Sequence, residues 1–346
     1  MNSPVYTFLL GVNDSRNATV VGLDQNGKML YGWEGNTDFR NYTRAPAQSR
    51  LSVPILWFET KDRQVSKPAI FVNCITDADS MTKSLARVTA LLDGVSKHWP
   101  DVPIFNEPRK IAETRRDTIY QKFHHLPGIE IPKTVRFQPK NPADVLAEVD
   151  EKGFSYPVIV RPCGTHQGRG VVLLKSPADA GLLDCLAFDG AYFYMTQFSE
   201  YKNADGLYIK TRFVMLGGKM YLRHSIAAAQ WKVHAASRND LMKDSQALRD
   251  LEQQMLATFT EKLSPAARDS IEKIYEAAGL DYLGFDCCLR PDGTLLFFEI
   301  NAAQDAMAKS DYAIFPYLKG YVDAIINAYN ALLAEKTGQR KARLSA

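Results

Sequence analysis

The sequence predicts an α/β protein in three blocks, and three observations carry that reading. Residues 1–105 alternate apolar strand-like runs with a helical stretch. The middle of the chain holds a Gly-rich turn between two apolar runs, and the last third holds an apolar hairpin with carboxylates inside it. With 346 residues the chain is long enough for two or three domains and a substantial core.

In the first block, residues 5–10, 19–23 and 69–75 read as strands, 81–94 as a helix and 102–105 as a short strand. Strand–helix–strand patterning favours a small N-terminal α/β domain. The stretch 31–67 is irregular and rich in Arg, Asn and Pro. Arg40, Arg44 and Arg50 read there as a solvated loop, with an acidic-substrate pocket as the alternative.

The second block, 106–195, begins with a charged amphipathic helix over 110–123, whose Arg115-Arg116 reads as a solvated face. A strand at 131–137, a helix at 142–152, a strand–loop–strand unit at 156–174, a helix at 177–180 and a strand at 192–195 follow. The third block, 196–346, opens with a hairpin of 208–216 and 219–227 across Gly217-Gly218. Residues 241–256 read as a charged surface helix, and 266–278 as an amphipathic helix stopped by Gly279. The acidic hairpin is next. A helix at 317–335 has apolar residues at helical spacing and closes the core, leaving a frayed basic tail at 336–346.

Residues 284–301 read as two strands joined by Pro291-Asp292-Gly293. Carboxylates are rarely buried unless paired or bound to a cation. Glu299 and Asn301 lie two apart and so share one strand face. A two-residue Asp292-Gly293 turn puts Asp286 opposite Glu299, whereas the Pro291 turn allows a longer loop with a bulge and another register. Three hard oxygen ligands of this kind, Asp286, Glu299 and Asn301, suit Mg²⁺, with Mn²⁺ possible, shared with substrate phosphates. The plain alternative is a hairpin with polar residues facing water.

The loop Gly164-Thr165-His166-Gln167-Gly168-Arg169-Gly170 follows a strand that ends near Arg161. Glycines let backbone N–H groups approach and cradle phosphate, and Arg161 aims a fixed charge at the same anion. Neither the Walker phosphate loop nor the dinucleotide fingerprint fits, since no helix follows.

Taken in order, the Arg161 strand with its glycine loop, residues 195–198, the Lys210-Thr211-Arg212-Phe213 strand and Asp286…Glu299-Ile300-Asn301 resemble the ATP-grasp superfamily. This is the fold of carboxylate–amine ligases such as glutathione synthetase and D-alanine–D-alanine ligase. Arg161 stands where the family usually has Lys. The resemblance implies an N-terminal α/β domain, a lid subdomain, and a C-terminal core that sandwiches ATP against the lid. It implies phosphate contacts from Arg161, Gly164, Thr165, His166, Gln167, Gly168 and Gly170, and adenine contacts from the backbone at Gln197 and Phe198. It places Arg212 near the nucleotide, and Arg223 and Arg238 near an acyl phosphate. Trp231 and His234 are further candidates for the acceptor site.

A formal net charge of +3 gives no general argument for nucleic acid or membrane. The five cysteines have no zinc spacing, and they read as reduced thiols of a cytoplasmic protein. No serine sits in a nucleophile elbow, and no histidines show metal-ligand spacing. The expected activity is therefore ATP-dependent joining of a small-molecule or peptide carboxylate to an amine, through an acyl phosphate, with release of ADP and phosphate. A homodimer is compatible with that expectation. The alternatives are a kinase on a small-molecule hydroxyl and a non-catalytic nucleotide-binding protein.

Overall fold

The structure is a computed structural model that describes residues 4–23, 26–59, 66–166 and 168–338. Its elements run β1 (Tyr6–Gly11), β2 (Thr19–Leu23), β3 (Met29–Gly32), α1 (Phe39–Tyr42), β4 (Arg50–Ile55), β5 (Ile70–Asn73), α2 (Thr82–His98) and β6 (Ile104–Phe105). Then come α3 (Pro108–Ile111), α4 (Arg116–Phe123), β7 (Ile129–Glu130), β8 (Thr134–Phe137), α5 (Pro142–Glu151), β9 (Val158–Pro162), β10 (Val172–Leu174) and β11 (Phe193–Gln197). The remainder is β12 (Tyr208–Leu216), β13 (Lys219–Ala228), α6 (Ala235–Ser237), α7 (Gln246–Lys262), α8 (Pro265–Ala278), β14 (Tyr282–Leu289), β15 (Leu295–Asn301) and α9 (Leu318–Lys336).

Three sheets organise the chain. The first has order β4-β1-β5-β6 with its strands parallel, the α/β arrangement expected. The second, β10-β9-β11-β8, is antiparallel. The third is β13-β12-β14-β15-β7. The second sheet has a core of its own, with Val145, Val149, Val158, Val160, Phe193 and Met195 buried together. A larger core ties Leu9, Phe71 and Leu85 of the N-terminal block to Phe213, Phe285 and Phe297 of the third sheet. Among the described residues no helix is long and apolar enough to cross a membrane.

Several expectations are corrected. The helix expected over 110–123 is two short helices, because Arg115 adopts extended backbone (φ −63, ψ 148) and starts α4 afresh at Arg116. The strand expected over 131–137 is shortened to β8, which joins the second sheet, and a separate short strand before it, β7, pairs with β15. β2 does not enter the parallel sheet but pairs with β3. Within 31–67, β4 forms an edge of the parallel sheet, where Pro54 is tolerated because an edge strand has unpaired N–H positions. The helix read as a surface insertion is α7, capped by Ser245, with Leu256, Phe259 and even Glu252 buried. The expected stop at Gly279 holds: it caps α8 in the left-handed conformation at φ 60.

Candidate active site

The third sheet builds one wall of the site, and two bulges set its register. The turn after β14 is long: Leu289 pairs with Leu295 and Cys287 with Phe297. Uncorrected, that register would leave Asp286 opposite Phe298. A bulge between Asp286 and Cys287 adds a residue and brings Asp286 opposite Glu299. A one-residue slip would have turned one of the two carboxylates to the other face. A second bulge, between Arg212 and Phe213, leaves Arg223 as the extra residue of β13 and pairs Arg212 with His224. Since Arg212 also pairs with Asp286, four titratable side chains stand in one row across four strands: His224, Arg212, Asp286 and Glu299.

This row is closely paired. Arg212 donates to both Asp286 oxygens at 2.7 and 2.9 Å, and the Lys210 ammonium lies 3.0 Å from Oδ2. The Asp286 side chain is 2% exposed. Burial alone would raise its carboxyl, but the Arg212 and Lys210 charges hold it well below the ordinary carboxylate range. Arg116, at the start of α4, donates to the Phe298 carbonyl and the Glu299 carboxylate, both at 2.5 Å. Asn301 Nδ2 donates to the same Glu299 oxygen at 2.7 Å. Burial pushes the Glu299 carboxyl up, while Arg116 and Arg161 outweigh that and leave it lowered. His224 is kept neutral: burial and the Arg223, Arg212 and Arg238 charges push its pKa well down.

The opposite wall comes from the second sheet and the glycine loop. Arg136, Tyr194 and Arg161 form a row across β8, β11 and β9. Arg161 donates to the Thr165 carbonyl within the loop, and its Nε is buried without a hydrogen-bond partner. Burial and the neighbouring Arg116 charge lower its pKa to about 10, so it stays cationic at neutral pH. Gly164 sits at φ 70 with its α-carbon against Ser80, where an added Cβ would lie 3.0 Å from the Ser80 Cβ. The third wall is the loop after β5. Asp77 meets His166 Nε2 at 2.7 Å, and Asp79 accepts from the Tyr194 hydroxyl at 2.7 Å. These walls line a cleft bounded by Asp77, Asp79, Arg116, Arg161, His166, Glu299 and Asn301, among others.

The structure therefore brings Arg161, Gly164, Thr165, His166, Glu299 and Asn301 to one cleft. Gly168 and Gly170 turn the loop with φ of 71 and 65, and Gln167 lies outside the described residues. Asp286 and Arg212 flank the cleft in the ionic row, bound to each other. Three expectations are changed. Of the backbone groups at Gln197 and Phe198 expected to meet adenine, the two N–H groups donate to the Lys133 and Pro157 carbonyls, which leaves the carbonyls for that role. Arg238, expected near an acyl phosphate, donates to both Glu252 oxygens at 2.7 and 2.6 Å and stacks on Phe315, so its guanidinium is consumed in the core. Arg116, read as a solvated face, is instead the direct partner of Glu299. Arg223 is 5% exposed. It bonds the Ala308 carbonyl and Ser310 hydroxyl through Nη2, leaving buried Nε and Nη1 without partners. Trp231 packs edge-on against Phe198, and His234 lies beside Gly168.

A metal ion is implied by the resemblance, and the donor set fits only in part. Two carboxylates and an amide are hard oxygen donors, as Mg²⁺ prefers. Each is already engaged: Asp286 by two cations, Glu299 by Arg116, and Asn301 Oδ1 by the Ala303 N–H at 3.0 Å. Among the described residues no group of three His, Cys, Asp or Glu side chains is arranged to hold a metal. Sequence reasoning missed Asp77 and Asp79, since a loop Asp-Ala-Asp carries no signal without knowledge of what folds over it.

No family model matches the chain, and no curated protein does. Solved structures do match. The D-alanine–D-alanine ligase of Bacillus anthracis is 14% identical with a TM-score of 0.52, over 99% of this chain and 98% of that one. Its complex with ATP gives 13%, 0.50 and 99% of each chain. D-alanyl-alanine synthetase A of Vibrio cholerae O1 biovar eltor gives 9% and 0.51, over 96% of this chain and 100% of that one. These similarities show the fold: the chain has the ATP-grasp fold over 99% of its length.

Proposed function

We propose that the protein is an ATP-dependent carboxylate–amine ligase that works through an acyl phosphate. The observation that carries this reading is the cleft itself. The cationic Arg116 and Arg161 and the glycine loop with His166 face a wall bearing Glu299 and Asn301, with the Asp286 row beside it. Such a site suits a polyphosphate, and the ATP-grasp fold supports ATP as the one used.

The chemistry follows. A substrate carboxylate oxygen attacks the γ-phosphorus of ATP, and the bond to the β–γ bridging oxygen breaks to leave ADP and an acyl phosphate. The amine then attacks the acyl carbon, phosphate departs with the bonding electron pair, and the ammonium proton passes to solvent. Arg161 and Arg116 hold phosphate oxygens by charge-assisted hydrogen bonds, and the glycine loop excludes water. Arg223, with two unpartnered N–H-bearing nitrogens, stabilises the developing acyl phosphate better than Arg238 does, because Arg238 is already paired in bidentate fashion with Glu252. Glu299 and Asn301, with Asp286 behind them, would hold Mg²⁺, which when bound neutralises phosphate charge. Arg116 and Asn301 both donate to Glu299 Oε1, so Oε2 would be the oxygen offered to the ion.

The test is ADP release with Mg²⁺ and ATP against pools of amino acids, small carboxylic acids and peptides, followed by mass spectrometry. A product one water lighter than its two substrates, with ADP and phosphate, identifies the ligase and its partners. A product heavier by one phosphate would replace this reading with the kinase. Absence of ATP binding would remove both.

A further inference from the structure

The second sheet carries its own hydrophobic core, whereas the contacts by which its site face meets the loop after β5 are polar. That loop, residues 76–81, presents Asp77 and Asp79 on either side of Ala78. Asp77 is a preorganised acceptor: one oxygen takes the Asp79 N–H at 2.8 Å, and the other takes the Ser80 hydroxyl at 2.7 Å and His166 at 2.7 Å. Asp79 receives the Tyr194 hydroxyl at 2.7 Å. Ser80 lies against Gly164, so the glycine loop rests on the same turn. A third, exposed contact joins Arg169 to Glu34 at 2.8 Å.

We propose that Asp77 and Asp79 form a two-point latch by which the N-terminal block sets the position of the phosphate-covering loop, Asp77 through the His166 imidazole and Asp79 through the Tyr194 hydroxyl. The two points differ in kind. Tyr194 belongs to β11 and fixes the sheet, whereas His166 belongs to the loop and fixes its tip. Asp77 is thus a positioning residue: it holds His166 in the lining of the cleft that Arg116 and Arg161 also line. The consequence for nucleotide binding rests on the ligase reading above. The latch itself does not, because its contacts join protein groups to one another.

The latch is pH-dependent. The charged groups around His166 are Asp77 and Asp79 from the loop after β5, Arg161 from β9, Arg116 from α4 and Glu299 from β15, with Arg169 on its own loop. The hydrogen bond and charge of Asp77 raise the imidazole pKa against burial. The ionic form of the pair is therefore present below that raised value and is lost as pH rises through it. At the acid end Asp77, whose carboxyl burial would raise, is lowered to about 2 by His166 and Ser80, so the pair persists well into acid.

The experiment is amide hydrogen exchange of residues 164–170 in the nucleotide-free full chain, corrected for intrinsic rates, with ATP affinity measured by calorimetry alongside. Loss of a charge-assisted hydrogen bond in Asp77→Asn should speed exchange of the loop by about tenfold, with the thermal transition little changed. His166→Gln should give the same acceleration from the other side of the contact, and Asp77→Glu should recover part of the protection. Wild-type exchange should rise with pH through the imidazole transition, and that step should vanish in Asp77→Asn. ATP affinity should fall about tenfold in Asp77→Asn, and saturating ATP should restore loop protection. Unchanged loop exchange in both Asp77→Asn and His166→Gln, with the fold intact, would overturn the latch. A wild-type protein that shows the exchange effects but binds no ATP would keep the latch and remove the ligase reading.

Discussion

On the core sheet, Asp286 meets Arg212 and Lys210 from the neighbouring strand, whereas on the lid His166 and Tyr194 meet Asp77 and Asp79 from another part of the chain. The first network is made by strand register and cannot open without breaking the sheet. The second crosses a polar contact to a sheet that has its own core, so on the proposed latch its opening would leave both sides folded. The same chemistry, a carboxylate beside a cation, is thus scaffold in one place and hinge lock in the other. Breaking the two networks should have different signatures: lost stability for the first, lost loop order for the second.

The largest effect is expected at the scaffold. Asp286→Asn leaves Arg212 and Lys210 together, with side chains 20% and 16% exposed, without their shared counter-charge. Removing one partner of such a pair costs about 3–5 kcal/mol, read as a fall in the denaturant midpoint. A loss below about 1 kcal/mol would show that the row is not structural, and the contrast with the lid would fail. Arg238→Met probes the same idea deeper in the core. Its pairing with buried Glu252 predicts a loss of about 3 kcal/mol with no specific effect on the pH profile of turnover.

Next comes Glu299→Gln. The amide keeps an oxygen for Arg116 but removes its counter-charge, so stability should fall, though by less than at Asp286, because the Glu299 side chain is 22% exposed against 2% and pairs with one cation where Asp286 pairs with two. If Glu299 serves as proposed, ligase turnover should fall by about 10²–10³-fold and the Mg²⁺ concentration needed for half-activity should rise. Equal falls in stability and turnover would instead class Glu299 with Asp286.

What the sequence made legible follows the same division. The acidic hairpin was readable because its face pattern is local: period-2 alternation put Glu299 and Asn301 together, and the Pro291 turn forewarned of a bulge. The glycine loop was readable because glycine clustering is local too. Arg116 was misjudged because its helix was expected to run through Arg115, which hides the restart that turns Arg116 onto Glu299. Arg238 was misjudged because its partner, Glu252, sits on a helix whose charges looked solvated. The Asp77 and Asp79 contacts were invisible, since they exist only where sequence separations of 89 and 115 residues close in space.

Smaller effects belong to the lid, and here the two contacts can be ranked against each other. Asp77 has a carboxyl pKa of about 2 against an ordinary 3.8, with His166 and Ser80 overcoming the burial that would raise it. A lowered carboxylate stabilises the fold fully above its unfolded value and loses that contribution as pH falls through its folded value. Because this contact opens locally, the wild-type latch should weaken between roughly pH 4 and pH 2, read as faster exchange of the glycine loop, and Asp77→Asn should lack that step. Arg169→Gln removes the exposed pair with Glu34, whose side chains are 57% and 45% exposed. Solvent screening limits such a pair, so the expected change is below about 0.5 kcal/mol and disappears in high salt. If Arg169→Gln loosened residues 164–170 as much as Asp77→Asn does, the loop would be held by diffuse charge and not by a directed contact. The distinction drawn between scaffold and lock would then have to be placed at the surface of the cleft, away from the turn after β5.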